Sequence, residues 1–275
     1  MFWHGRQMYR RLSEDVCAAG VGTGDAGVTK PGPVTGQDLA GLPATVQRYL
    51  RAMGVVGQPR VWSFQAHITG RFRLRGKGSW MPAEVWQYNS AVEVARLFHM
   101  RLDVKGVVPM VGRDTYVGGK GIVHGRLLDL VTVAHSEGPE TDLSELSTYL
   151  NDAVLMAPSM LLQPNTSFAP VDDRSFDVTL VDSGMTVTAR VLLDDDGRPA
   201  NFTTCDRYAD LKEGVVRAEW TTPIDGWQPD GDRFTFTRGH ASWNLPQGPL
   251  DYLDFTMSPG SVRYNVSPAD IAPAS

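Results

Sequence analysis

Between Trp62 and Thr69 apolar and polar residues alternate, with Trp62, Phe64, Ala66 and Ile68 on one parity and Ser63, Gln65, His67 and Thr69 on the other. A period of two marks a strand with one buried face. Similar text recurs at Glu84–Ser90, Leu97–Val104, Val111–Val117 and Ile122–Val133, then at Phe176–Val181 and Met185–Leu193. Further runs follow at Ala200–Tyr208, Val215–Thr222, Arg233–Trp243 and Leu250–Tyr264. Arg75-Gly76, Gly118-Gly119, Asp195-Asp196-Gly197 and Asp230-Gly231-Asp232 punctuate them as tight turns.

Helical spacing appears in three places. Met8, Leu12 and Val16 predict a short N-terminal helix, and Leu42, Val46, Tyr49 and Leu50 predict one over Asp38–Met53 that stops at Gly54. The third interrupts the strands over 141–156, where Leu143, Leu146, Leu150 and Val154 share a face. Thr141 or Asp142 is its expected cap, with Glu145 as the capping-box acid. Ala18 to Gly36, rich in Gly, Ala, Thr and Pro, reads as a linker or surface tail. The expected fold is mainly β: a single antiparallel β-barrel of about ten strands, closed or a half-barrel, with an N-terminal helix and one inserted helix. Residues 1–57 would form tail, linker and helix, and residues 58–275 the barrel.

Composition narrows the function. Lys and Arg number 26 against 31 Asp and Glu, a net charge of −5 without a basic surplus, which argues against nucleic acid. Two cysteines, Cys17 and Cys205, make neither a disulfide framework nor a metal cluster. No apolar run is long enough for a membrane span. Met1 to Arg6 lacks the apolar core of a secretory signal, so a cytoplasmic location is expected; a monomer or homodimer is expected as well. There is no P-loop, strand-linked GxGxxG, HExxH or GxSxG, and the six histidines lack ligand spacing. Neither cofactor nor metal is expected.

Candidate chemistry rests on polar residues in strand text. Leu97, His99, Arg101 and Asp103 share one face of their strand, opposite Phe98, Met100, Leu102 and Val104. If the apolar face packs under the helices, the polar one lines the lumen. In the next strand Asp114 and Tyr116 lie on the face of the small Gly112, as crowded inner positions do. Glu84, Trp86 and Tyr88 share a face, with Gln87 opposite. A carboxyl in an apolar lumen has a raised pKa and can serve as a general acid. Trp80 and Trp86, beside Tyr88, would add aromatic lining. Alternation leaves open which face of each strand points inward.

Several motifs carry a resemblance. Leu42-Pro43-Ala44-Thr45-Val46-Gln47-Arg48-Tyr49-Leu50 opens the series, and Trp80-Met81-Pro82 with Gln87-Tyr88 follows. Then come Arg113-Asp114-Thr115-Tyr116, Gly138-Pro139-Glu140 and Trp243-Asn244-Leu245-Pro246. Their order resembles a bacterial family of unknown function, from which this chain departs by lacking membrane-spanning text and by a more polar strand around His99 and Arg101. The strand order is also similar to the curved half-barrels of lipoprotein carriers. A soluble barrel without cofactor motifs resembles the spiroacetal cyclases of macrolide polyketide pathways, of the ossamycin and oligomycin type. That likeness implies a cofactor-independent cyclase closing a polyketide-like hydroxyketone or hemiacetal. Asp114 would be its acid and His99 its base, with Glu84 as substitute. Tyr116 and Gln87 would orient the substrate, Arg101 would stabilise it, and Trp80, Trp86 and Tyr88 would contact it. The alternative is a carrier for a lipid or other hydrophobic small molecule.

Overall fold

The computed structural model describes residues 2–23, 32–73, 78–104, 108–127, 131–211 and 214–273. Helix α1 (Phe2–Ala19) is followed by the short α2 (Gly36–Leu39) and by α3 (Ala44–Ala52). A six-stranded meander then runs through β1 (Ser63–Phe72), β2 (Met81–Ser90), β3 (Ala95–Val104), β4 (Val108–Val117), β5 (Lys120–Leu127) and β6 (Val131–Glu137). Helix α4 (Pro139–Met156) follows it. The second meander begins with β7 (Thr166–Asp172), β8 (Ser175–Asp182), β9 (Met185–Leu193) and β10 (Pro199–Thr204). Short strands follow: β11 (Tyr208–Leu211), β12 (Gly214–Arg217), β13 (Glu219–Thr221), β14 (Trp227–Asp230) and β15 (Arg233–Phe236). The chain ends with β16 (Arg238–Leu245), β17 (Gly248–Thr256) and β18 (Val262–Tyr264).

Fourteen strands join one antiparallel sheet, ordered β6-β5-β4-β3-β2-β1-β17-β16-β13-β10-β9-β8-β7, with β18 beside β1. Its ends, β6 and β7, do not pair with each other, so the sheet is an open half-barrel and not a closed one. Helix α4 fills the concavity. Its Leu146, Leu150 and Val154 enter the main core with Tyr49 and Leu50 of α3 and with Phe176 and Phe202 of the second meander. The Tyr49 hydroxyl donates to the Val154 carbonyl at 2.7 Å, tying α3 to α4. On the convex side, α1 buries Met8, Leu12 and Val16 against Trp86, Tyr88 and Leu97.

The mainly β expectation with few helices agrees with this architecture, while the strand count of about ten is too low. Three long runs divide, Ile122–Val133 into β5 and β6, Arg233–Trp243 into β15 and β16, and Leu250–Tyr264 into β17 and β18. Strands of three or four residues offer too few alternations to be read separately. The helix expected over Asp38–Met53 is α2 and α3, separated at Pro43, because the residue before a proline is driven out of the helical region. Helix α4 begins at Pro139 with Gly138 at the cap, not at Thr141 or Asp142, since a proline suits the first helical position. The Arg75-Gly76 turn lies outside the described residues, as does the middle of the Ala18–Gly36 segment, whose flanking Val21 and Val34 are buried.

One glycine sets how close the helix can come. A Cβ on Gly121 of β5 would lie 2.5 Å from the Thr141 carbonyl oxygen. Without it, the Gly121 N–H donates to Asp142 Oδ1 at 2.7 Å, and the first turn of α4 seats against β5.

Candidate functional site

Pairing register assigns the faces of β2, β3 and β4. Gln87 stands opposite Phe98, which stands opposite Asp114, and Arg96 stands opposite Tyr116. These residues share the concave face, under α4. The alternate set, containing Glu84, Trp86, Tyr88, His99 and Arg101, belongs to the convex face, under or beside α1.

On the concave side Arg96 is 3% exposed. Its Nε donates to Asp152 Oδ2 at 2.7 Å and its Nη1 to Glu145 Oε2 at 2.9 Å. Both carboxylates come from α4, seven residues apart, and so from one stripe of that helix. The Gln87 amide donates to Asp152 at 2.6 Å, and the Arg96 guanidinium lies 4.5 Å from the centre of the Phe98 ring. Burial acts to lower the Arg96 pKa, but Asp152, Glu145 and Asp114 outweigh it, and the net direction is upward. Burial pushes the Asp152 and Glu145 carboxyls up, with Arg96 opposing in each case.

Asp114 is partly accessible, and it lines the hollow between α4 and the sheet. Burial first, and then the charge of Glu145, push its carboxyl up to about 7, against the pull of Arg96 and Arg207. Arg207 comes from the turn between β10 and β11. Its guanidinium lies 4.1 Å from the centre of the Trp220 ring, and its Nη1 donates to the Tyr252 hydroxyl at 2.8 Å.

The hollow is narrow. Its cavity volume is about 110 Å³. Ile68, Phe72, Met100, Leu253 and Phe255 supply apolar wall, while Arg96, Asp114, Asp152 and Arg207 supply the charged part. The lining also includes His240 and Tyr252.

The structure therefore separates the residues singled out from the sequence. Asp114 and Gln87 line the hollow. Tyr116 is on the same face, but its hydroxyl donates to Asp182 Oδ2 at 2.6 Å, and burial followed by Asp182 raises its pKa. His99, fully buried, has Nε2 3.0 Å from Asp15 Oδ2 of α1. Glu84 meets His67 at 2.9 Å, Arg101 meets Asp103 at 3.1 Å, and the Tyr88 hydroxyl donates to the Val266 carbonyl at 2.8 Å. Trp86 packs edge-on against Tyr9. Trp80 stacks against the guanidinium groups of Arg71 and Arg73 at 4.9 and 4.6 Å. The expectation that the His99 face lines the lumen is thus corrected. Both faces of β3 are covered by helices, so polarity does not identify the inner one, and the helix inside the concavity brings its own carboxylates.

Sequence reasoning missed Arg96, Arg207, Glu145 and Asp152 as site residues. Arg96 heads the face of Phe98 and Met100, and a cation leading an apolar face was the available signal. Asp152 and Glu145 sit among the buried residues of α4, whereas Arg207 is in a turn without periodicity.

Among the described residues no helix is long and apolar enough to cross a membrane, and no group of His, Cys, Asp or Glu is placed to hold a metal ion.

The arrangement is an open antiparallel half-barrel holding a helix, with a slot between them. Residues 32–255 match the family of unknown function DUF6544, and the chain belongs to that family. This agrees with the family resemblance carried by its motifs, while the likeness to spiroacetal cyclases finds no support in the comparisons. No curated protein matches. Among solved structures, the chain is similar to a LolA superfamily protein from Nitrosomonas europaea, with 12% identity over 84% of this chain and 98% of that one, at a TM-score of 0.41. It is also similar to a DUF1329 family protein from Desulfovibrio piger, with 9% identity over 81% of this chain and 92% of that one, at 0.36.

Proposed function

We propose that the protein binds a slender, largely apolar small molecule in the hollow between α4 and the concave face of the sheet. The observation that carries this reading is the slot itself, narrow and walled by Phe72, Met100, Leu253 and Phe255. Thin chains gain from such a wall because each buried methylene leaves water. Arg96, Glu145 and Asp152 satisfy one another and form a floor, not a set of reacting groups.

Trp220 lines the slot and makes tryptophan fluorescence a reporter. Titration with primary alcohols of increasing length should show affinity rising about 0.8 kcal/mol per methylene until the slot is full, then levelling. A response independent of chain length would overturn the reading.

One observation favours a second reading, a dehydrative cyclase acting on a polyketide-like hydroxyketone. The Asp114 carboxyl, pushed up to about 7, suits a general acid. Its base would be neither His99 nor Glu84, which belong to the other face. Incubation with a dihydroxyketone, followed by mass spectrometry for loss of water, tests it. Turnover slowed roughly hundredfold by Asp114→Asn is the expected result. No loss of water with the native protein would remove this reading.

A further inference from the structure

The charged part of the slot contains donors that the protein leaves unused. Tyr252 accepts two hydrogen bonds, from Arg207 Nη1 at 2.8 Å and from Trp220 Nε1 at 2.9 Å. With its oxygen taken by those two, the hydroxyl's own proton must point elsewhere, and among the described residues no acceptor receives it. Arg207 Nε is buried and likewise has no hydrogen-bond partner. Its guanidinium is held against Trp220 and forms no salt bridge among the described residues, whereas Arg96 has two. An unmatched cation with free N–H groups beside a free O–H is a recognition pattern for an oxyanion.

We propose that the polar end of the bound molecule is a carboxylate, received by Arg207 and Tyr252 with the Asp114 carboxyl as a third donor, while its apolar chain lies along Phe72, Met100, Leu253 and Phe255. The ligand class is thus an apolar monocarboxylic acid. This rests on the binding reading above and adds the chemistry of the head group. Arg207 supplies the compensating charge. Asp114 contributes as a donor while protonated and repels the ligand once ionised.

The groups facing Asp114 set the pH range. Arg96 comes from β3, Glu145 and Asp152 from α4, Arg207 from the β10–β11 turn and Tyr252 from β17. Burial and Glu145 hold the proton on Asp114 up to about 7. Acid binding is therefore strongest on the acidic side of that value and weakens above it as a second negative charge enters the slot.

The test compares an unbranched alkanoic acid, decanoic acid, with the alcohol of equal chain length on the native chain, read by tryptophan fluorescence. At about pH 6 the acid should bind roughly tenfold tighter or more, as expected of charge-assisted hydrogen bonds. The preference should shrink above neutrality. Tyr252→Phe, which removes only a hydroxyl, should lower it several-fold, and Arg207→Met should abolish it. In Asp114→Asn the pH dependence should vanish while a preference for the acid remains. If the alcohol binds with rising affinity along its series but the acid binds no tighter, the carboxylate assignment is overturned and the binding reading stands. If neither binds, both fall. The native comparison needs no variant to fold.

Discussion

Successive residues of β3 live in two environments. Arg96, Phe98 and Met100 face α4, where the helix brings carboxylates and leaves a slot. Leu97 and His99 face α1, where Met8, Leu12 and Val16 pack against Trp86 and Tyr88. Both faces are covered by a helix and both bury polar groups. The difference lies in how those groups are satisfied. On the convex side the charged contacts are single pairs, as of His99 with Asp15, and Tyr88 donates to the Val266 carbonyl, while the buried Trp86 Nε1 and His99 Nδ1 have no hydrogen-bond partner. On the concave side Arg96, Asp152 and Gln87 form a network, while Asp114 and Arg207 remain open to the hollow. A closed pair needs only geometry, whereas an open charge needs a ligand, a proton or water to complete it.

The largest test of this contrast is Arg96→Met. It leaves Glu145 and Asp152 buried without their cation, and breaking such a network typically costs about 3–5 kcal/mol. Urea denaturation measures it, and a loss below about 1 kcal/mol would show that the two carboxyls take up protons and need no partner. Leu12→Ala attacks the other face. Leu12 is fully buried, and the expected cost is about 2–4 kcal/mol from lost contact and a residual cavity. Alcohol binding in the hollow should persist, since α1 contributes nothing to its lining, and loss of binding would mean that the two faces are coupled through the strands.

Asp114→Asn comes next. In the folded protein this carboxyl titrates at about 7, above the ~3.9 of an unfolded chain. Between those values the folded state binds the proton more tightly, so the stability contributed by protonated Asp114 is complete below the lower value. It is lost as pH rises to the upper one. The Asn variant should remove that slope and be more stable than the native chain at about pH 8, by on the order of 2 kcal/mol. Equal slopes in the two proteins would place the titration elsewhere. Smallest is Asp15→Asn on the convex side. His99 lowers the Asp15 pKa, so this pair stabilises above the unfolded carboxylate value and fades as pH falls through the lowered one. Asp15 is 38% exposed at its side chain, and solvent screening limits the expected cost to about 1 kcal/mol or less in urea.

The strands were legible where one face is apolar over several residues, as in Phe64, Ala66 and Ile68. Helices α1, α3 and α4 were legible because their apolar spacing is long enough to show, whereas the four-residue α2 was merged with α3. Orientation of β2 to β4 was not. The rule that a polar face turns to a lumen or to solvent presumes one covered face, and α1 covers the second. Asp114 drew attention through its neighbour Gly112, but its companions come from α4 and from a turn. Glu145 illustrates the loss, since at its place in the sequence it satisfies the pattern of a capping residue, and only three-dimensional contact assigns it to Arg96.

The seam of the sheet has a temporal meaning as well. Thr69 of β1 faces Thr256 of β17, and Phe64 faces Tyr264 of β18, whereas nearly every other rung of the sheet joins strands close in sequence. Hairpins of each meander can form while the chain is still being made, because closing short loops is fast. The pairing that joins the halves waits for residues beyond 248, and contacts so distant in sequence slow folding. Until then Phe72 has no Leu253 opposite it, and the slot has only one of its walls.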